Sequence, residues 1–332
     1  GCLTCGLCER RCPAGVKYAT LQQGLRARAR AEGETGRCTH GGSLLSLMRI
    51  HANAELTQNR LSWVPEDAEV SEEGDTALFV GCAPYFDAFF DYLGVQTLDA
   101  TKGALKLLNA MGVAPVVMPD ELCCGHDLLW SGDRENFERL ARKNVENLKA
   151  RGVKKVVFPC AECYRTVSRD WAEVTGPIPF ETAHIAELVA DSNLEFDGEP
   201  VKATIQDPCR LSRHMGKGDE LRAAIGKRES VEVREMIRHN TSGQCCGSSS
   251  WVNCTAGTAS LQESHLKDAK ATGADILITA CPKCEVHLSC TQFGKDDAIP
   301  MKNVASILAD ALADDSAPAQ EPETTEASVC SR

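Results

Sequence analysis

No apolar run in this chain of 332 residues approaches bilayer length. The longest, Ala77 to Cys82 and Ile276 to Cys281, cover a handful of residues, where a spanning helix needs about 20. Positive charge is also short. Lys and Arg number 36 against 47 Asp and Glu, a net charge of -11, whereas a general nucleic-acid binder needs a basic face to displace counterions from phosphates. Nucleic acid is therefore not an expected partner. A Gly-rich strand-to-helix turn of the dinucleotide-binding kind is missing too, so any flavin or nicotinamide belongs to a partner subunit. No secretory leader pattern is visible, although residue 1 is Gly rather than Met. These absences lead to the expectation of a cytoplasmic protein, either free or held at the cytoplasmic membrane face by a partner.

What the chain has in abundance is cysteine, 18 residues. Their density falls short of the roughly 8–10% of small disulfide scaffolds, so metal ligation or redox chemistry is the better reading. The opening "GCLTCGLCERRCPAGV" carries Cys2, Cys5, Cys8 and Cys12 in the pattern C-x2-C-x2-C-x3-C-P. Residues 1–63 otherwise show helical stretches ("LQQGLRARARAEG", "GSLLSLMRIHANAEL") and no strand. The acidic 64–75 reads as a linker, and 313–332, with Cys330, as a disordered tail.

Between linker and tail the cysteines repeat. Residues 76–198 hold Cys82, then Cys123-Cys124-Gly125, then Cys160-x2-Cys163; residues 199–312 hold Cys209, Cys245-Cys246-Gly247 and Cys281-x2-Cys284. A Trp follows each Cys-Cys-Gly (Trp130, Trp251). Apolar runs before the cysteines ("TALFVGC", "VAPVVMPDELCC", "KKVVFPC", "VKATIQDPC", "ADILITAC") read as buried parallel strands alternating with helices, an α/β pattern in each half. Loops leaving the carboxyl ends of such strands gather on one edge, where five thiols can converge.

Neighbouring residues in a strand or helix point apart, so each Cys-Cys pair needs an irregular turn, which the following Gly permits. A structural zinc takes four ligands, usually from two C-x2-C pairs. Five thiols with an adjacent pair suit it poorly, and soft thiolates suit iron–sulfur clusters better.

The doubled arrangement C-xn-C-C-G-xm-C-x2-C resembles the cysteine-rich CCG domain of heterodisulfide reductase B and D subunits. It also occurs in iron–sulfur subunits of lactate, glycolate and glycerol-3-phosphate oxidising complexes. The opening run looks like the second ferredoxin motif preceding such domains in D-type subunits. The resemblance implies two repeated Rossmann-like CCG domains after a small α-helical ferredoxin-type segment. It also implies a noncubane 4Fe-4S cluster on Cys82, Cys123, Cys124, Cys160 and Cys163, and another on Cys209, Cys245, Cys246, Cys281 and Cys284, the pair splitting a disulfide between them. Cys2, Cys5 and Cys8 would share a cubane 4Fe-4S cluster, with Cys12 reaching a second, since the fourth Cys of such a run serves the other cluster. The partner run is absent. Either it lies upstream, which a motif starting at residue 2 of a chain without Met favours, or one cluster closes on Cys12 or Cys38. The implied partners are a flavin- or haem-containing electron-donor subunit and a disulfide or thiol substrate. The competing expectation is an electron-relay subunit of a flavin-dependent hydroxy-acid or glycerol-3-phosphate dehydrogenase.

Around these motifs, Cys254 and Cys290 have no counterparts in the first half, where Gly132 and Arg169 stand, and read as buried neutral thiols. His126 and His287 are near enough in sequence to donate a proton to a leaving thiolate, though a supporting role is the commoner one. Arg210 and Lys283 read equally as cluster-steadying or solvated charges, and the basic run at 25–33 as an exposed helix face.

Overall fold

The computed structural model describes residues 1–34, 36, 39–252 and 254–313; Cys38, Cys330 and the tail from 314 onward lie outside the described residues. Two parallel sheets organise the two halves. The first contains β1 (Thr76–Leu78), β2 (Lys155–Phe158) and β3 (Glu181–His184) in that order; the second adds β4 (Val201–Gln206), β5 (Val231–Val233), β6 (Ile276–Thr279) and β7 (Met301–Asn303), ordered β5-β4-β6-β7. Every strand pair is parallel. In both halves the central strands are buried, Ala77, Leu78, Val156, Val157, Leu277 and Ile278 being wholly inaccessible, as a sheet covered on both faces requires.

The run "VAPVVMPDELCC" is not a strand. Only Val116 pairs, as an isolated parallel bridge to Ala77 and Ser71, because Pro115 and Pro119 bracket it and proline cannot donate to a ladder. Val116 nevertheless occupies beside β1 the place β5 takes beside β4, so the two halves share one topology. Strands β3, β5 and β7 escaped the sequence analysis because none lies in a continuous apolar run, reading ETAH, VEV and MKN.

Residues before the first sheet are helical, with Leu7–Arg11, Tyr18–Ala31 and Ser43–His51 the main pieces. The basic face of Tyr18–Ala31 is not free. Arg26 donates to the carbonyls of Trp130 (2.6 Å) and Cys2 (2.5 Å), and Arg30 pairs with Asp133 at 2.9 Å. The acidic stretch has no helix or strand but is tied down, Ser71 N–H donating to Pro115 O and Glu69 N–H to Asn109 Oδ1, both at 3.0 Å.

The glycine after each Cys-Cys pair lies in the left-handed region, Gly125 at φ 84° and Gly247 at φ 87°. A Cβ there would stand 2.7 Å from the Phe137 ring or 2.3 Å from Gln262 Cγ. Gly125→Ala is accordingly expected to destabilise the chain by about 2 kcal/mol, from strained backbone and overpacking together, seen as a lower urea midpoint.

Candidate functional site

Four cysteines cap helices. Cys82 and Cys209 precede Ala83–Phe89 and the turn Arg210–Met215, just beyond β1 and β4; Cys160 and Cys281 precede Ala161–Arg165 and Pro282–Gln292, just beyond β2 and β6. Strand direction thus delivers all four to the carboxyl edges of the sheets. Each Cys-Cys pair enters from the loop beyond the outermost strand position.

The thiols of each half meet. Cys82 Sγ lies 3.1 Å from Cys123 Sγ, and Cys163 Sγ 3.4 Å from Cys124 Sγ. Cys123 also contacts Cys124, and Cys160 contacts Cys163. In the second half Cys209 contacts Cys245, Cys245 contacts Cys246, Cys246 contacts Cys284 and Cys284 contacts Cys281. Two further contacts were not anticipated. Cys160 also touches Cys281, joining the two sets, and Cys5 touches Cys245, joining the N-terminal run to the second set. The result is an unbroken chain of sulfur contacts from Cys82 to Cys5. The hydrogen bond with Cys245 holds the Cys5 thiol down to about 5, helped by the Leu7 backbone N–H and the charges of Arg213 and Arg210. Cys2 accepts from Thr4 N–H at 3.3 Å. Cys8 is exposed and feels the charges of Cys5 and Cys2; the groups acting on Cys12 are the backbone N–H of Val16, Ala14 and Gly15.

Backbone anchors fix the first set. Cys123 N–H donates to His51 Nδ1 (3.1 Å), Asn144 Nδ2 donates to Cys123 O (3.1 Å), and Trp171 Nε1 donates to Cys124 O (2.9 Å). Glu121 accepts from the N–H of Val80 (3.0 Å) and Gly81 (2.6 Å), and its burial pushes it up to about 7. In the second set Gln262 Nε2 donates to Cys246 O at 2.9 Å, and His287 Nδ1 stands 3.6 Å from Cys246 Sγ.

A seam of charge runs alongside the junction of the two sets, and both of its cations are buried rather than solvated. Lys283 binds Asp127 and, at 3.2 Å, Glu162, with its ammonium 4.8 Å from the Trp251 ring centre. Arg210 lies over Trp130 at 4.2 Å, donates through Nη1 to Thr4 O (2.7 Å) and through Nε to His126 Nε2 (3.0 Å). His126 Nε2 is therefore an acceptor, and Nδ1 carries the proton toward Asp127 Oδ1 at 2.9 Å. Burial holds His126 down to about 3, so it is neutral at pH 7 and its expected part as proton donor gives way to the supporting one. Asp127 and Glu162 were missed in the sequence. The available signal was that Glu162 and Lys283 fill the same place in the two C-x2-C motifs with opposite charge.

One narrow cavity is lined by all five thiols of the first set together with Glu162 and, from the second half, Pro282 and Lys283. His126, Asp127 and Glu162 could converge on a metal ion, but the Lys283 ammonium already binds both carboxylates. The donors left for a metal centre are sulfurs, a soft set that fits an iron–sulfur cluster.

The family model of a cysteine-rich domain named CCG matches twice, at residues 76–168 and 203–289. The chain belongs to the CCG family. Each matched segment contains one of the two thiol sets, while β3 and β7 lie beyond the matched ranges. The D-type heterodisulfide reductase component of Methanosarcina barkeri, named for dihydromethanophenazine and CoB–CoM, is 31% identical over 329 residues, covering 94% of this chain and 77% of that one. Its counterpart in Methanosarcina mazei is 32% identical with the same coverage. The B-type component of a CoM/CoB fumarate reductase from Methanothermobacter marburgensis is 26% identical over 95% of this chain and 62% of its own. No helix among the described residues is long and apolar enough to cross a membrane.

Proposed function

We propose that this chain is an iron–sulfur electron-transfer subunit of a heterodisulfide-reductase-type oxidoreductase, and that its two thiol sets act together on one disulfide. The observation that carries the reading is the Cys160–Cys281 contact, which brings the two sets edge to edge with no helix or strand between them. Cys82, Cys123, Cys124, Cys160 and Cys163 would hold one noncubane 4Fe-4S cluster, and Cys209, Cys245, Cys246, Cys281 and Cys284 the other. Such clusters supply single electrons and a soft site for a sulfur leaving group. The chain's own residues do the rest. Lys283 and Arg210 bring positive charge to the seam where a thiolate would form, Trp130 and Trp251 shield that charge from water, and the neutral His126 keeps Arg210 in place. Cys2, Cys5 and Cys8 would share a cubane cluster that receives electrons from a flavin- or haem-containing partner, with the Cys5–Cys245 contact as the route inward, and Cys12 would serve a second cluster.

Anaerobically purified chain is expected to carry about four irons per CCG domain, with broad charge-transfer absorption; stoichiometric zinc in place of iron would refute the reading. Because Cys12 would serve a second cluster rather than the one on Cys2, Cys5 and Cys8, Cys12→Ser is expected to leave the iron content and spectrum of this chain nearly unchanged. Loss of a whole cluster on that change would make the N-terminal run a self-contained centre.

A further inference from the structure

Cys254 and Cys290 are exposed, not buried as the sequence suggested, and they line one pocket. Its walls are the rings of His40, Phe90, Trp251 and His287. Phe90 and Trp251 stack with centroids 5.5 Å apart, and the His287 ring meets Trp251 edge-on at 4.9 Å. Two polar atoms of this lining are buried without a partner, Trp251 Nε1 and His287 Nε2, on residues 2% and 6% exposed. Buried polar atoms are seldom left unpaired without a reason. The Nδ1 of His287 stands 3.6 Å from Cys246 Sγ, so this imidazole links the pocket to the second thiol set. The pocket encloses about 40 Å³, room for one or two heavy atoms, such as the sulfur end of a slender molecule.

We propose that Cys254 and Cys290 form a second, iron-independent dithiol site that exchanges with small unbranched alkyl disulfides. One sulfur of the substrate sits between the aromatic rings and accepts from the unpaired N–H of Trp251. The thiolate of Cys254 attacks that sulfur, forming a mixed disulfide and expelling the first substrate thiolate. Cys290 then attacks the Cys254 sulfur, forms the Cys254–Cys290 bond and expels the second thiolate. The two protons lost by the protein thiols pass to the two products, and the two electrons reducing the substrate come from the pair, so no other reductant enters this half-reaction. Partial desolvation of its sulfur by the pocket walls, and then the charge of Cys254, push the Cys290 thiol up, which suits it to second place in the order. The first CCG domain has nothing equivalent, with Gly132 and Arg169 at the corresponding positions, so the site lies only on the second domain's side.

The exchange goes beyond the cluster reading and is tested apart from it. Full-length chain, kept anaerobic, is incubated with bis(2-hydroxyethyl) disulfide, quenched with N-ethylmaleimide and mapped by peptide mass spectrometry. The expected result is a linked Cys254–Cys290 peptide pair, with alkylation of both residues slowed at least tenfold. Cys290→Ser should instead accumulate the hydroxyethyl mixed disulfide on Cys254, and Cys254→Ser should accumulate little on Cys290. Unchanged alkylation of both thiols with no linked peptide overturns the proposal, whatever the cluster spectrum shows. Normal exchange in a chain that binds no iron leaves it standing and counts against the proposed function alone.

Discussion

Cys124→Ser and Cys246→Ser are each expected to lower disulfide-dependent turnover by about 10³-fold or more, and the double variant to be no slower than either single one. Each change removes a sulfur from the middle of its own set, Cys124 between Cys123 and Cys163, Cys246 between Cys245 and Cys284. If both sets act on one disulfide, each captures one sulfur, and half of the pair completes nothing. Residues that work as a unit are grossly non-additive. Turnover is measured anaerobically with a reduced viologen as donor, and electron paramagnetic resonance follows the cluster signal as thiol is added. Two singles whose losses multiply in the double, or a signal indifferent to every thiol yet responsive to a flavin partner supplied with lactate or glycolate, would support the relay role instead.

The second large effect concerns the seam. Lys283→Met leaves Asp127 and Glu162 without the ammonium that both bind, and stranding buried charge of this kind costs about 3–5 kcal/mol. Loss of that size should appear as a marked drop in the urea midpoint of the iron-loaded chain. Adding Asp127→Asn to Lys283→Met should recover part of the loss, since one of the stranded carboxylates is then neutral. A double variant as unstable as the single would mean that Lys283 acts through packing on Trp251 rather than through charge.

The α/β class, the duplication and the ten thiols of the two domains were legible in the sequence because they depend on spacing. Strands carrying Cys82, Cys160, Cys209 and Cys281 announce themselves by β-branched runs, and parallel sheets send their carboxyl ends to one edge. Contacts between the halves were hidden. Nothing in the spacing says that Cys160 touches Cys281 or that Cys5 reaches Cys245, since the first depends on how the two halves dock and the second on how the N-terminal run packs against the second half. Exposure was equally opaque: Arg210 and Lys283 read as well for solvent as for burial, because their burial follows from partners some 84 and 156 residues away in sequence, His126 and Asp127. The stretch around Val116 misled for a local reason, two prolines inside an apolar run.

The Glu162–Lys283 pair bears on the chain's own duplication. Equivalent residues touch each other where two copies meet on a twofold axis, and here Cys160 meets Cys281 and Glu162 meets Lys283. Two copies of the first domain joined in that way would oppose glutamate to glutamate, and two copies of the second lysine to lysine, each inside a buried seam where like charges repel strongly. Only the mixed pairing sets a cation against a carboxyl group. If the two domains were produced as separate polypeptides, the same residues would act as a sorting code, rejecting each homodimer and admitting the heterodimer, so that the polarity of the pair is written into its assembly as well as into its chemistry.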